Sequence, residues 1–458
     1  MRKKIRLIIL IACIVLFLIL APYIVLYSMG YRVDFINMEV LATGGIYVRS
    51  YPQANQIIID SKIEGKPGMF LNAFFVQDLL PKNHTVLVKK TGYFDYQKNI
   101  LVAENQVTKI ENILLIKQNI IFNQVAEKTN YFSVSRDNKN VLIARPDTKS
   151  ISFEYFSLSN PNQKKASSLP VQNAEILDIK WSDDYSSKAL IKIQKSSGVS
   201  YYIFDASKTI QQSSPLDYLD KNSQQISFNP KDLTQLFYVE NKTLYSLKNN
   251  EATTVIKNII TYKISGSGIL WLSSDGFLFQ SDISGKLMQK ITTEKAVLNP
   301  NNNYKLIAES GKTFLKENSS LYILNTDTKA FEDFLSPITN YEILSAPDNK
   351  NLLLANDSEI YLYSFEDELY EKIFLGSQIK DCRWLNNDYI IFTADGKIKI
   401  SEIDYRGNIN IISLPDSLAL SAGNIIKNNP SQMIFNQSDG KIYILTENQL
   451  ISSEKITQ

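Results

Sequence analysis

The chain has 458 residues, of which 44% are hydrophobic and 21% charged. This balance predicts a folded chain with two or more domains or one repeat array, and it excludes a disordered protein. One His and two Cys leave too few groups for zinc sites, thiol redox chemistry or a Ser–His–Asp triad. The 25 Tyr and 22 Phe, beside only 17 Gly, favour β-strands over glycine-rich phosphate loops.

The N-terminus has the charge pattern of a signal-anchor. Arg2, Lys3, Lys4 and Arg6 precede an apolar stretch over residues 7–30. That stretch is long enough to cross a hydrocarbon core of about 30 Å as a helix. Because cations next to a membrane segment stay on the cytoplasmic side, we expect residues 1–6 inside and the chain after residue 30 outside. The predicted location is therefore the cell membrane, with a single pass and extracytoplasmic domains.

A cleavable signal peptide is the alternative reading of this segment. Its apolar core would be shorter and would be followed by small residues at a cleavage site. The sequence at Ala21-Pro22-Tyr23 fits that pattern poorly, and the apolar run continues beyond it. We therefore expect the lipid bilayer to be a partner through residues 7–30, followed by a linker at 31–43.

Setting the four N-terminal cations aside leaves 45 of the 49 basic residues against 47 acidic ones. The exterior is then near neutral with mixed signs. Nucleic-acid capture requires a basic surface, so a nucleic-acid partner is not expected. Cys13 falls in the membrane segment and Cys382 stands alone, so no intrachain disulfide is expected. Cys382 is interpreted as a small buried apolar residue.

Residues 44–117 contain short runs rich in Ile, Val and Phe that are separated by turn residues. Pro52 and Pro81 suit turns because proline has a preset φ. Runs of this length and composition indicate a small β-sandwich.

The order of these segments resembles the PEGA domain, which is named for a Pro-Glu-Gly-Ala signature followed by a strand that ends in Ile-Asp-Gly. The matching segments are Pro52-Gln53-Ala54-Asn55, Ile59-Asp60-Ser61, Leu80-Pro81-Lys82, His84-Thr85-Val86 and Gly92-Tyr93. The resemblance implies a β-sandwich of bacterial envelope and surface-layer proteins, with a binding role and no catalytic activity. Where the family has glycine, this chain has Ala54, Ser61 and Lys82, which affects the turns rather than the fold.

His84 is the only imidazole, so it is the one candidate for a histidine general base or metal ligand. It stands at the start of a strand, where the PEGA family usually has an aromatic residue. No second His and no Cys lies near it in the sequence to support chemistry. We therefore expect a packing or strand-edge role.

From about residue 120 onward, a pattern of an apolar strand, a polar turn and a second apolar strand recurs. Second hairpins follow several copies, so each unit supplies about four strands. The turn markers average about 42 residues apart, a spacing typical of four-stranded propeller blades. These markers are Ser135, Ser182, Asn229, Ser267, Asn299, Ala346, Asn386 and Asn429.

The repeats predict a β-propeller over residues 118–458, with seven or eight blades and eight slightly favoured. The turns resemble those of WD40-like repeats in periplasmic propellers, although the WD signature itself is missing. Residues 119–125 are expected to pair with the last blade, because ring closure would cover an otherwise exposed edge. Two successive β-sandwiches are the alternative. The spacing between Ser267 and Asn299 is only 32 residues, which is short for a blade.

We assign no catalytic, cofactor-binding or metal-binding residue from the sequence, and the ligand-binding residues are not identified. No Walker A or dinucleotide fingerprint is present, and no cofactor is expected. Several aspartates at blade turns are explained by side-chain to backbone hydrogen bonds. They are Asp137, Asp183, Asp184, Asp348 and Asp388.

These features favour a non-enzymatic, membrane-anchored binding or scaffold protein. Its propeller would engage a protein or a cell-wall or surface-layer glycan. One alternative is a sensor or assembly factor that acts through a membrane partner. A second is a glycan-cleaving propeller that uses two carboxylates, since 47 acidic residues cannot exclude such a pair.

Overall fold

The computed structural model describes residues 3–34, 39–68, 72–135, 137, 139–158, 160–182, 188–206, 215–266, 268–335 and 341–456. These residues form one helix and 42 strands, so the predicted all-β class with one N-terminal helix is confirmed. The chain divides into two compact units. The first comprises residues 1–120, 400–414 and 456–458, and the second comprises residues 121–399 and 415–455.

The N-terminal helix α1 spans Lys3–Ser28 and continues through Pro22. Its stretch Ile9–Ser28 has a mean hydropathy of 3.1, and none of it is buried. The helix is long and apolar enough to cross a membrane, a property that signal sequences share. Of the four predicted topology residues, Lys3, Lys4 and Arg6 lie at its start, and Arg2 lies outside the described residues.

The predicted linker at 31–43 contains two strands, β1 (Tyr31–Asp34) and β2 (Glu39–Ala42), which pair antiparallel. Arg32 lies at the start of this pair, where its guanidinium is 2.8 Å from the Asp78 carboxylate. The same side chain donates to the Tyr27 carbonyl at the end of α1. One cation therefore connects the end of the helix to the small β-domain.

The small β-domain consists of two sheets that share one core. The first sheet has the order β6-β3-β9 and the second β5-β4-β7-β8. Alternate residues of each strand point inward, so Ile46 and Val48 of one sheet pack with Ile57 and Val86 of the other. This packing is the predicted β-sandwich. The strands are β3 (Gly44–Tyr51), β4 (Gln56–Ile59), β5 (Ile63–Gly65), β6 (Ala73–Leu79), β7 (Asn83–Lys89), β8 (Tyr96–Leu101) and β9 (Val107–Leu114).

The remaining strands form eight successive sheets, which make the predicted β-propeller with the larger of the two expected blade numbers. In the first seven sheets the strands follow chain order, and those of the first six pair antiparallel. The first four sheets consist of β11 (Tyr131–Val134), β12 (Asn140–Pro146), β13 (Ile151–Ser157) and β14 (Asn160–Leu169); β15 (Glu175–Trp181), β16 (Lys188–Lys195) and β17 (Gly198–Asp205); β18 (Gln224–Asn229), β19 (Asp232–Glu240), β20 (Thr243–Lys248) and β21 (Glu251–Lys257); and β22 (Ile259–Ser265), β23 (Gly268–Ser273), β24 (Leu278–Asp282) and β25 (Gln289–Lys290).

The next three sheets continue the same order. They consist of β26 (Tyr304–Glu309), β27 (Lys312–Glu317), β28 (Ser320–Asn325) and β29 (Ala330–Leu335); β30 (Glu342–Ser345), β31 (Asn351–Ala355), β32 (Glu359–Ser364) and β33 (Leu369–Leu375); and β34 (Lys380–Trp384), β35 (Tyr389–Ala394), β36 (Lys397–Glu402) and β37 (Ile411–Ser413). Apolar side chains fill the space between neighbouring sheets, as where Trp181 and Phe204 pack with Phe153.

The eighth sheet closes the ring with strands from both ends of the second unit. It contains β10 (Ile121–Ala126), β38 (Ser417–Leu420), β39 (Ile425–Lys427), β40 (Gln432–Asn436), β41 (Lys441–Thr446) and β42 (Gln449–Ser453). Strand β10 pairs antiparallel with β42, with Phe122 opposite Ser453. The predicted pairing of residues 119–125 with the last blade is therefore observed. The sheet then continues past β10 through β38 to β39.

A belt of side-chain hydrogen bonds joins one strand of each sheet to the next around the ring: the first strand in each of the first seven sheets and β40 in the eighth, which is called the first strand of that sheet below. At each junction, a side chain on one first strand bonds to the first strand of its neighbour, with donor–acceptor distances from 2.6 to 3.2 Å. The pairs are Trp181 with Ser133, Lys180 with the Ile226 carbonyl, Thr261 with Gln225, the Leu306 amide with Thr261, Ser345 with Glu309, Trp384 with the Leu344 carbonyl, the Met433 amide with Asp381, and Gln432 with the Phe132 carbonyl. These bonds connect strands that belong to different sheets and so fix the order of the ring.

Two of the eight turn markers occupy a different place from the rest. Asn299 and Asn429 precede the first strand of their sheet. Asn299 forms a local turn there, in which its side chain accepts from the Asn301 amide. The first turn of the fifth sheet is instead Ser310-Gly311, where both φ angles are positive. This displacement explains the short spacing before Asn299. Ser267 lies outside the described residues, and the other markers, Ser135, Ser182, Asn229, Ala346 and Asn386, lie at first turns.

Replacing Phe122 by Ala should open the closing sheet. Its ring is fully buried in β10, and such truncations cost about 3–5 kcal/mol. Ile121→Ala is the matched control, since Ile121 is 46% exposed on the same strand. All three tryptophans, Trp181, Trp271 and Trp384, lie in the second unit, so their fluorescence during denaturation reports on the propeller. Equal losses of unfolding free energy in Phe122→Ala and Ile121→Ala would contradict closure of the ring through β10.

Because Asp381 is a buried carboxyl group in the belt, we expect the stability of the folded protein to depend on pH. Burial raises the pKa of Asp381, and the Met433 amide and the Arg383 charge offset only part of that rise. As pH increases through this raised pKa, the folded protein must ionise a buried carboxyl group, so stability falls. Asp381→Asn keeps an acceptor for Met433 but carries no charge. We expect its melting temperature to exceed that of the natural protein at pH 7, with the difference shrinking toward pH 4 (about the ordinary pKa of Asp).

The control for this measurement is Asp327→Asn, which changes an exposed carboxylate in the fifth sheet. If the melting temperature of Asp381→Asn differed from that of the natural protein by the same amount at pH 7 and at pH 4, the raised pKa of Asp381 would be refuted.

Candidate functional site

Three groups of residues can carry chemistry or binding: the turns of the small domain, a buried ion pair in the first unit, and a groove on the eighth sheet. Within the described residues, no group of three or more His, Cys, Asp or Glu side chains is placed to hold a metal ion. Cys382 is buried, which raises its pKa to about 12. Its thiol therefore stays protonated, in agreement with the predicted apolar role.

The structure brings three residues of the predicted sandwich motif together. His84 is only 3% exposed, and its Nδ1 lies 2.6 Å from Asp60 Oδ2 while its Nε2 lies 2.8 Å from the Leu80 carbonyl oxygen. Asp60 also accepts from the Thr85 amide. Burial raises the pKa of Asp60, but the bonds from Thr85 and His84 outweigh it and lower the pKa overall. Both ring nitrogens are thus engaged in joining two turns of the sandwich.

The other residues of that motif lie in turns or at strand ends. Ile59 ends β4 and is buried, and Pro52 and Pro81 follow strands β3 and β6. Gly92 has φ +81°, a left-handed conformation that glycine adopts without strain. Tyr93 bridges to Lys117. Sequence reasoning found these turns but not the contact between Asp60 and His84, which are 24 residues apart.

The first unit also contains a buried ion pair that the sequence analysis did not find. Lys98 has no exposed surface, and its ammonium donates to Glu402 Oε1 at 2.7 Å and to the carbonyls of Asp404 and Asn408. Tyr96 donates to the other Glu402 oxygen at 2.9 Å. All of these residues belong to the first unit. Every donor of the ammonium therefore has an acceptor, and no part of Lys98 is exposed to solvent.

Residues 400–414 contact the sandwich through further polar bonds of this kind. The Asn408 side chain accepts from the Asn99 amide and donates to the Gln97 carbonyl. Burial raises the pKa of Asp404, but bonds from Arg406 and the charge of Lys98 lower it overall. A signal was available in β8, whose alternating burial places Lys98 at an inward position between Tyr96 and Ile100. The charged groups Lys98, Glu402, Asp404 and Arg406 form ion pairs with one another, which is typical of a structural cluster.

The eighth sheet carries a groove of about 610 Å³. It is bounded by the turn that joins β38 to β39 and by the turn that joins β41 to β42. Gly423 has φ +84°, which allows the first turn, and the Ser421 amide donates to the Phe122 carbonyl of β10. The lining residues are Gln124, Glu127, 420–426, Glu447 and Gln449. The groove therefore lies on the strands that close the ring.

The charged groups of the groove are of one sign. Glu127 and Glu447 are both exposed, and the described residues that line the groove include no Lys or Arg. The Gln124 amide donates to Gln449 and to Glu127, so one glutamine connects β10 with β42. Arg145 donates to the Glu127 backbone carbonyl, while its charge pairs with Glu154 at 3.0 Å. The two carboxylates of the groove thus face solvent.

Sequence reasoning could not identify this groove, because its residues come from three distant parts of the chain. The predicted turn aspartates have the expected local role where the structure describes them: Asp137 and Asp348 accept from backbone amides of their own turns. Asp388 lies in the turn after β34, and Asp183 and Asp184 lie outside the described residues.

This chain is similar in fold to several proteins of known structure. No known protein family and no curated protein matches the sequence. A solved Dos1 propeller is 10% identical, with 73% of this chain and 95% of that chain covered and a TM-score of 0.48. Hsv2 of Kluyveromyces lactis is 10% identical over 65% of this chain and 98% of its own, with a TM-score of 0.39.

The extracellular domain of the putative hybrid two-component system BT4673 from B. thetaiotaomicron is 13% identical. Here 61% of this chain and 38% of that chain are covered, with a TM-score of 0.37. At such identities, these likenesses concern the fold alone.

Replacing Lys98 by Met should destabilise the first unit by about 3–5 kcal/mol, because Glu402 would remain buried without its cation. The double variant Lys98→Met with Glu402→Gln should recover part of that loss. Limited proteolysis of the folded chain, scored by cleavage within residues 44–117, measures the effect. Lys62→Met is the control, since Lys62 is exposed in the same domain. Equal cleavage of the Lys98 and Lys62 variants would show that the pair contributes no stability.

Proposed function

We propose that this chain is a membrane-anchored binding protein of the bacterial cell envelope, without catalytic activity, whose propeller holds a partner outside the membrane. The groove on the eighth sheet carries this proposal. It is a concave site built on strands that the closed ring holds rigidly, and a rigid scaffold with a solvent-facing groove favours recognition.

The apolar helix α1 and the cations before it support the membrane anchor and its orientation. The turn order from Pro52 to Gly92 supports a PEGA-like role for the sandwich as a spacer in the envelope. The bonding of His84 to Asp60 and Leu80 supports a structural rather than catalytic histidine.

The anchor and its orientation can be tested in one preparation. The full chain should remain in membranes after alkaline carbonate washing, and deletion of residues 1–28 should release it. Protease added to intact spheroplasts should cleave the propeller. Replacing Arg2, Lys3, Lys4 and Arg6 by Gln should reduce the protease-accessible fraction, because the orientation signal is lost. A mature chain that begins after residue 21 and is soluble outside the membrane would contradict the anchor.

Partner binding can be tested with a photo-crosslinking amino acid at Ala422, in the turn that borders the groove. The same group at Asp327, exposed in the fifth sheet, is the control. We expect one dominant envelope adduct from position 422 in intact membranes and none from position 327. Analysis of the adduct distinguishes a protein from a glycan. Equal labelling from both positions would show that the groove is not the binding site.

A further inference from the structure

The hairpin formed by β38 and β39 is not needed to close the propeller. Closure is complete when β10 pairs with β42, which gives the last sheet four strands like most of the others. The hairpin extends that sheet beyond β10, since β38 pairs parallel to β10 through Ile121 and Phe122. Strand β39 is then the outermost strand of the sheet and borders the groove.

The backbone of Ile425 faces away from the sheet. The Leu420 amide donates to the Asn424 carbonyl, and the Asn428 amide donates to the Asp416 carbonyl, so each of these two residue pairs is joined by a main-chain hydrogen bond. In an antiparallel pair, hydrogen-bonded and non-hydrogen-bonded pairs alternate. Ile425, opposite Ala419, therefore belongs to a non-hydrogen-bonded pair. Its amide and carbonyl point to the free edge, where another strand could pair with them.

The side chain at this edge is also available. Ile425 is 74% exposed, whereas the next residue, Ile426, is buried. Lys427 ends the strand, and its carbonyl is already used by the Asn429 amide and the Thr446 hydroxyl. The free edge is thus short and centred on one apolar residue. A partner strand would gain few main-chain bonds, so side-chain contacts in the groove must supply the selectivity.

The charges of the groove determine which side chains fit. Glu127 and Glu447 stand on its border without a cation among the lining residues, and the nearby Arg145 is paired with Glu154. A Lys or Arg of an incoming strand would find two carboxylates, whereas an acidic residue would be repelled.

We propose that the groove takes an extended peptide segment of a partner protein, which adds to β39 as a further strand and places a Lys or Arg side chain between Glu127 and Glu447. The inference rests on the proposed binding function and names the chemical class of its partner. Ile425 supplies the main-chain pairing and the apolar contact, and the two glutamates supply the selectivity for charge.

The test uses the full chain in nanodiscs and fluorescein-labelled peptides of alternating Thr and Val with Lys at one central position. A second peptide carries Glu at that position, and a third carries the Lys with N-methylated backbone amides. Anisotropy titration should show binding of the Lys peptide, weaker binding of the Glu peptide and no binding of the N-methylated one. Raising the salt concentration from about 0.05 M to about 0.5 M should weaken binding of the Lys peptide, because the carboxylates face solvent.

Variants of the protein identify the site. Replacing Glu127 and Glu447 together by Gln should weaken binding of the Lys peptide about fivefold, as expected for two exposed ion pairs. The matched control, Glu366→Gln, removes an exposed carboxylate in the sixth sheet and should change nothing. Ile425→Pro removes the outward amide and should weaken binding about tenfold. If that variant loses the hairpin, the N-methylated peptide still tests the main-chain pairing.

Equal affinity for the Lys and Glu peptides would overturn the inference. So would a Glu366→Gln variant that weakens binding of the Lys peptide as much as the replacement of Glu127 and Glu447 does. The proposed function would survive that result if crosslinking from Ala422 still gave one specific adduct. It would fail as well if no specific adduct formed.

Discussion

The pairing of β10 with β42 is the constraint on which the second unit depends. The ring of sheets closes only where strands from the two ends of the second unit meet in one sheet, and here Phe122 is buried where they do. The belt of side-chain bonds between first strands can form at all eight junctions because the ring is closed. The same closure leaves β38 and β39 free of any role in the ring, and it positions Glu127 at the end of β10 beside the hairpin that carries Glu447.

Buried polar groups give each unit its particular arrangement. Lys98 and Glu402 satisfy each other within the first unit, and Asp60 and His84 join two turns of the sandwich. Apolar residues at these positions would pack in many ways, whereas a buried ammonium is tolerated only where its partners are in place. The belt works in the same manner, since Asp381 must meet the Met433 amide for its burial to be compensated. These contacts select one arrangement among several that hydrophobic burial alone would allow.

The repeat period was enough to predict a propeller of seven or eight blades, with eight slightly favoured, because each hairpin carries its own turn residues and its own apolar alternation. It was not enough to assign every turn. The Asn299 motif has the same letters as the first turns of other sheets, yet it precedes a strand, since a local Asn turn forms wherever the backbone permits it. Lys98 was overlooked because its partner lies 304 residues away. The candidate groove had no motif at all, since residues near 124, 422 and 447 meet only in the closed ring.

The sequence by itself determined the apolar N-terminal helix, the all-β class, the sandwich turns and the ring with its closing strand. Those features follow from hydropathy, alternation and turn chemistry, which act over a few residues and can be read locally. Tertiary structure decided which polar residues are buried as pairs, which turn marker belongs to which strand, and where a concave surface forms. Those outcomes depend on contacts between residues far apart in the chain. The energies of these contacts come from desolvation and hydrogen bonding in the folded protein, so a local sequence pattern does not predict them.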